Sequence, residues 1–418
     1  MIQKNKKIAI IHYTSPPIIA GVELMMKEQI QLFINDGYKI KLISGEGRRY
    51  RQDINFLKIS QINSRNQEYQ KIAKFLDKGE CPKEFEQFSE KIYKKLKKAL
   101  QNIDICIVHQ ALSMHFNLAL TYALVKLTKD LHKKIKFIVW THDSTFLDEN
   151  YTKKFAKFKK IFPWKLLSVK HTNIKYVVIS STRQKQLAQL FGCSTKQFEF
   201  IPNGIDVAKF YNLSKYTQSL VKDYDLLNQD LITVLPNRIL PRKNIEQAIN
   251  IVYELKKMGI KIKFILTGIY DYQNPQSADY YQKIQKLVEK NNLKKDVIFL
   301  NQYKPKNGEQ INLRNLKVSE LYYLADFLIF PSKIEGFGRQ IVEAGITKTP
   351  VVCSDIGPFK ETAQKDSLYF KINEDPKKTA KNIIKFLESI PTSRAFRRQI
   401  RDYSLINIYQ NKIKNLLE

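Results

Sequence analysis

Cysteine is scarce in this 418-residue chain: Cys81, Cys106, Cys193 and Cys353 stand far apart, with no Cys-x-x-Cys pair and no histidine at ligand spacing. That argues against a zinc site or a disulfide framework and predicts a reducing compartment. Glycine and proline are sparse as well, 14 of each, which excludes a disordered or fibrous chain. No apolar run approaches the roughly 20 residues of a membrane span. The opening stretch MIQKNKKIAIIHY has a basic lead, but its apolar run is too short for a signal-peptide core and reads as a strand, so the expected location is cytoplasmic. Acidic residues are few, 40 against 71 Lys and Arg, for a formal charge of +31. Such an excess attracts polyanions, whereas a coding bias toward Lys, Ile and Asn would supply the same lysines as solvated surface.

What is plentiful is apolar surface, 43% hydrophobic residues, enough for sizeable cores in a chain whose length suits two domains. Short β-branched runs alternate with helical patterns, which predicts parallel α/β architecture. KIAIIHY, KIKLISGEG, DICIVH, IKFIVWTHD and IKYVVISS read as strands of one doubly wound half, with GVELMMKEQIQLFINDGY as its first helix. After the Pro202-Asn203-Gly204 turn, a plausible hinge, the pattern restarts with LITVLPNRI, KIKFILTG, DVIFLNQ and ADFLIFPS. The expected division is a first domain over 1–203, with a solvent-facing helical insertion at about 67–100, and a second over 204–395. An amphipathic helix in 396–418 is expected to pack back on the first domain.

Residues that carry chemistry sit at strand ends, where open α/β sheets place their ligands. SKIEGFGRQIVEAG follows a buried-looking strand and holds Glu335 on the loop and Glu343 on the next helix. Each carboxylate can accept two hydroxyl hydrogen bonds, which suits the diols of a sugar and a ribose. Gly336 and Gly338 flank Phe337, and their freedom lets backbone amides approach a ligand at a helix start. A lone pair of glutamates around a turn is otherwise an ordinary solvated helix start. In LPNRILPRKN, Arg238 offers a fork and Lys243 a point charge, together suited to a departing diphosphate; alone in so basic a chain they would read as surface charge. The loop HYTSPPIIAGVE ends in Gly21 with Glu23 near the helix start and lacks the G-x-G-x-x-G of a nicotinamide site. His109 and His142 each close a strand.

Taken together, the Gly21-Val22-Glu23 loop, IPNGID (201–206), RILPRKN (238–244), EGFGRQIVE (335–343), PVVCSD and the closing YSL helix resemble the retaining nucleotide-sugar glycosyltransferases of glycosyltransferase family 4. The resemblance runs nearly end to end and implies the GT-B fold, two Rossmann-like doubly wound parallel-sheet domains facing a central cleft. It implies that Glu335 holds donor-sugar hydroxyls and Glu343 the ribose, and that Arg238 and Lys243 take the diphosphate with amides of Gly21, Phe337 and Gly338. It places His142 near the transferred sugar and leaves Glu23 and His109 as acceptor-side candidates. The implied chemistry is hexose transfer to a hydroxyl, retaining and metal-independent, with no cofactor, the leaving phosphate taking the acceptor's proton. Two departures bear on the donor: Ala20 replaces the usual glycine before Gly21, and Arg339-Gln340 replaces a Leu-Pro.

Three other readings remain. Two are a nucleotide-sugar epimerase and a phosphorylase of the same fold. The third is a non-catalytic polyanion or membrane-surface binder, supported by KKFAKFKKIFPWKLL, residues 153–167, where lysines interleave with Phe155, Phe158, Phe162 and Trp164. That segment predicts a peripheral contact with anionic membrane at its inner face, fitting a lipid-linked acceptor as well as a sugar or small molecule. No stacking platform or reading helix for nucleic acid is evident, so no nucleic-acid partner is expected.

Overall fold

The structure is a computed structural model that describes residues 6–268, 275–306 and 316–418. The chain divides into two compact units, Met1–Asn203 with Ile408–Glu418, and Gly204–Asn407.

In the first unit the β-branched runs form seven strands: β1 (Lys7–Thr14), β2 (Lys39–Glu46), β3 (Ile54–Lys58), β4 (Ile105–His109), β5 (Lys136–Thr141), β6 (Ile174–Val178) and β7 (Phe198–Phe200). They pair in parallel in the order β3-β2-β1-β4-β5-β6-β7. Every residue of β4 is buried, as expected for a strand covered on both faces by helices. The second unit repeats the plan with β8 (Leu231–Leu235), β9 (Ile262–Leu266), β10 (Val297–Phe299), β11 (Phe327–Phe330), β12 (Val351–Ser354) and β13 (Leu368–Phe370). Its order is β10-β9-β8-β11-β12-β13, again parallel. This is the doubly wound α/β architecture that the alternating pattern predicts, present twice. The winding reverses between β1 and β4 in one sheet and between β8 and β11 in the other, and the carboxyl ends of those strands are where such sheets bind ligands.

Sequence reasoning did not name β3, β7, β12 or β13 as strands; β12, four residues long, lies inside its sheet, and the other three are sheet edges. An edge strand is short and half exposed, so the apolar run that marks a central strand is absent. The stretch 67–100 needs correction. It is the crossover between β3 and β4, built of helices Gln67–Leu76 and Glu84–Ala99, and only its outer side faces solvent. Phe85, Phe88, Ile92 and Leu96 recur at helical spacing, are at most 1% exposed and belong to the unit's main core, while lysines and glutamates cover the outer side. Tyr69 fixes the first helix there, its hydroxyl accepting the Leu118 amide N–H at 2.8 Å.

The tail differs in its boundary. Helix Pro391–Tyr403 belongs to the second unit, and only from Ile408 does the chain rejoin the first. There Ile408, Tyr409, Ile413, Leu416 and Leu417 are buried in one cluster with Ile8, Ile10 and Phe33. The Tyr409 hydroxyl donates to Asp36 at 2.8 Å, and Lys414 pairs with the same carboxylate at 3.0 Å.

Candidate active site

In the second unit the loops after β8 and β11 converge. Pro241–Lys243 forms a 3-10 turn, and Asn244, with φ of +51°, redirects the chain into helix Ile245–Lys257. This turn carries Lys243 inward, where it is 4% exposed and its ammonium pairs with Glu335. Glu335 also receives a hydrogen bond from Ser332 Oγ at 3.0 Å and pairs through its other oxygen with Arg242 at 3.2 Å. Burial lowers the Lys243 pKa, the Glu335 carboxylate opposes that, and Arg242 and Arg238 reinforce it. Arg238 is exposed, and no hydrogen bond or ion pair among the described residues engages its guanidinium. The named groups are three cations against one carboxylate, so the cluster has positive charge to spare at the sheet's switch point.

After Glu335 the chain turns through Gly336, which is exposed with open space around it, and Phe337, which is 59% exposed. Gly338 has φ of +87°, and a Cβ there would stand 2.9 Å from the Phe359 ring, so this position requires glycine. Helix Arg339–Ile346 starts with no side-chain cap, leaving its first amides without side-chain acceptors. Glu343, on this helix, accepts from the Tyr322 hydroxyl at 3.0 Å and from Arg339 Nε at 3.0 Å. Arg339, one of the two departures from the family pattern, is thereby paired on the surface. Among the donor-site candidates the structure brings Glu335 and Lys243 into contact and keeps Glu343 in a separate cluster. Arg242, Ser332 and Tyr322 were missed; adjacency to Lys243, and Ser332 three residues before Glu335, were the available signals.

In the first unit, helix Gly21–Asn35 starts at Gly21 with Ala20 at the capping position and no side-chain cap. Gly21 is exposed, with nothing within 4 Å of where a Cβ would stand, so its amide end is open to an anion. Glu23 is 4% exposed, bonded by the Thr14 hydroxyl and 3.7 Å from His12 Nε2. The strand-end histidines come together. His12 Nδ1–H donates to the His109 carbonyl at 3.1 Å, and His109 Nδ1 meets His142 Nε2 at 3.2 Å. The His109 ring stacks on Trp140 at 5.9 Å and on His142 at 5.5 Å. Burial drives all three pKa values down, His142 to about 3, so these imidazoles are neutral at ordinary pH.

His109 is fully buried, which corrects its assignment to the acceptor side: it stands behind His142 and touches no solvent. Its strand-end position was right and its depth was not, because strand position does not say which way a side chain points. His12 was missed, although it too sits near a strand end, two residues before the close of β1.

The stretch 153–167 also needs correction. Phe155, Phe158 and Trp164 are at most 5% exposed in the core, and Trp164 Nε1–H donates to the Leu76 carbonyl at 3.0 Å. These rings are therefore not available to seat in a membrane interface, although the lysines between them are exposed. No helix among the described residues is long and apolar enough to cross a membrane.

Comparison with known proteins bears on the family and the fold. The family model described as Glycosyltransferase Family 4 matches residues 19–209, and that described as Glycosyl transferases group 1 matches residues 218–403. A mannosylglucosylglycerate synthase of Petrotoga mobilis is 28% identical over 311 residues, 68% of this chain and 67% of the relative. One from Thermotoga maritima is 23% identical over 373 residues, 85% of this chain and 82% of the relative. The O-antigen chain mannosyltransferase RfbU of Salmonella typhimurium is 33% identical over 134 residues, 32% of this chain and 35% of the relative. A glycosyltransferase crystal structure from Rickettsia africae aligns over 99% of this chain and 98% of that chain, at 17% identity and a TM-score of 0.37, too loose a superposition to argue from. Two Rossmann-like units, each matched by its own family model, make this chain a glycosyltransferase of family 4 with the GT-B fold.

Proposed function

We propose that this enzyme moves a hexose from a nucleotide diphosphate sugar to an acceptor hydroxyl, with retention of anomeric configuration and without metal. The observation that carries the reading is the pairing of Arg242 and Lys243 with the single carboxylate of Glu335, with Arg238 near enough to act on Lys243. Its surplus of two positive charges is the complement of a diphosphate, and such fixed charges stabilise the negative charge that grows on a leaving phosphate. Glu335 holds sugar hydroxyls through the lone pairs that Ser332, Lys243 and Arg242 leave free, and Glu343 holds the ribose. The amides of Gly21, Phe337 and Gly338 add donors to the diphosphate, and His142 contributes a hydrogen bond to the transferred sugar. The leaving phosphate takes the acceptor's proton on the same face.

Mannose is the first sugar to test, because the names of several relatives carry it. A thermal-shift screen of nucleotide sugars identifies the donor, since a ligand that binds only the folded chain raises its melting temperature. Product analysis with that donor, isotopically labelled, then tests the reaction. The expected result is release of nucleoside diphosphate and a glycoside of unchanged anomeric configuration, with activity surviving EDTA. An epimerised nucleotide sugar without acceptor, a sugar phosphate formed from inorganic phosphate, an inverted product, or loss of activity restored by magnesium would each overturn part of it.

A further inference from the structure

The buried histidines of the first unit raise a question that decides what His142 can do: which of its ring nitrogens carries the proton. A hydrogen bond between two neutral imidazoles contains one proton, so His109 Nδ1 and His142 Nε2 admit two arrangements. In one, His142 Nε2–H donates to His109 Nδ1, and His109 must then carry its proton on Nε2. That nitrogen is sealed from solvent and has no acceptor among the described residues. In the other, His109 Nδ1–H donates, its Nε2 is a bare lone pair, and the proton of His142 sits on Nδ1. Buried donors go unmet more rarely than buried acceptors, because an orphaned N–H forfeits its full hydration. The second arrangement wins.

Two further observations support it. Nδ1 of His142 has no partner among the described residues and, unlike His109 Nε2, is not sealed from solvent. The His109 ring has little freedom to turn, since it lies against Trp140 and His142 and its own carbonyl is held by His12. The link to His12 runs through a main-chain carbonyl, so it fixes position and carries no proton. Among nearby charges, Glu23 faces His12 and Asp143 is drawn to Arg183 at 3.3 Å.

We infer that His109 is a positioning residue that locks His142 as its Nδ1–H tautomer, so that His142 presents substrate with a hydrogen-bond donor and not with a base. What that donor meets, a sugar oxygen, rests on the function proposed above; the tautomer itself does not. The consequence is a division of labour in which proton acceptance falls to the leaving phosphate and His142 only orients or polarises.

Two-bond proton–nitrogen correlation spectra of the whole chain, labelled with nitrogen-15 at its 6 histidines, read the tautomer directly. His109→Asn and His142→Ala spectra assign the signals. The expected result is an Nδ1–H pattern for both His109 and His142, unchanged between about pH 6 and 8. An Nε2–H pattern for His142, or its titration in that range, overturns the inference. His109→Phe keeps the stacking but has no donor, and should release the tautomer and lower kcat about tenfold with little change in donor KM. His109→Asn, which places an amide donor near the lost Nδ1, should rescue most of that loss. Equal kcat in the two variants overturns the positioning role. An Nδ1–H signal together with full turnover in His142→Ala would leave the tautomer standing and remove His142 from the proposed reaction.

Discussion

Replacing Glu335 by leucine should cost the second unit stability as well as activity, and the structure says how much. Lys243 is 4% exposed, and Glu335 is the carboxylate that pairs with its ammonium. Without it, a buried cation is left facing Arg238 and Arg242, with the Phe330 ring 5.6 Å from its ammonium. Breaking a buried ion pair from one side costs about 3–5 kcal/mol, whereas replacing both partners by apolar side chains is often neutral. The Glu335 side chain retains 12% exposure, so the lower end, about 3 kcal/mol, applies. The Arg242 contact is half exposed on its cationic side and adds at most about 1 kcal/mol. In a unit of this size each kcal/mol moves the melting temperature by about 2–4 °C, so the single variant should melt roughly 6–12 °C lower. The double variant Glu335→Leu, Lys243→Met should recover most of that while remaining inactive. The two differ in pH dependence as well. A lysine whose pKa is depressed on folding binds fewer protons in the folded state, so the single variant should gain stability as pH climbs toward the unfolded lysine value near 10.4. Thermal unfolding by circular dichroism at several pH values measures all of this. A double variant no more stable than the single would refute the idea that Lys243 depends on Glu335.

Three other outcomes follow from the geometry. Asp326 Oδ2 accepts the Ile232 amide at 2.7 Å while its Oδ1 is buried without a partner among the described residues, and burial pushes its pKa to about 7. The folded state therefore holds a proton that the unfolded state has released, so stability should fall by roughly 4 kcal/mol as pH rises from about 4 to 7. Asp326→Asn should flatten that profile in calorimetry. Gly338→Ala should cost about 1–3 kcal/mol for its left-handed backbone alone, displace Phe359, and lower kcat; an unchanged melting temperature would count against the glycine requirement. Trp164→Ala should destabilise by about 3–5 kcal/mol in denaturant titration, while Lys157, Lys159 and Lys160 to Gln together should stay near wild type, since those ammonium groups are on the surface.

The central strands were legible because burial on both faces writes an unbroken apolar run, as in β4 and β11. Three of the four edges were not, because a strand such as Ile54–Lys58 has only one residue buried and no run to read; the edge β10 was legible through its apolar run Val297–Phe299. Helix Glu84–Ala99 was visible as a helix and misjudged in depth: its charged residues dominate composition, and only the spacing of Phe85, Phe88, Ile92 and Leu96 records the buried face. At the candidate site, Arg238, Lys243, Glu335 and Glu343 were legible by their place at strand ends. Arg242 and Tyr322 were not, since each reaches a glutamate on a distant element, and Ser332, only three residues before Glu335, was passed over as an ordinary loop residue. The histidines show the limit from the other side. Strand ends identified His109 and His142, but one lies behind the other, which position along a strand does not record.

The return of the chain at Ile408 has a consequence for biosynthesis. The cluster that covers Ile8, Ile10 and Phe33 is completed by the last eleven residues, while the second unit is one uninterrupted stretch. A ribosome adding about 5–20 residues per second needs roughly 10–40 s to make the stretch between. Throughout that interval the first unit, although synthesised first, lacks part of its cover and exposes β-branched surface to its neighbours on the polysome. The second unit has all its residues in hand before the first does. Nascent chains of this enzyme are thus expected to lean on chaperones, and recombinant forms cut short of Ile408 to collect in the insoluble fraction.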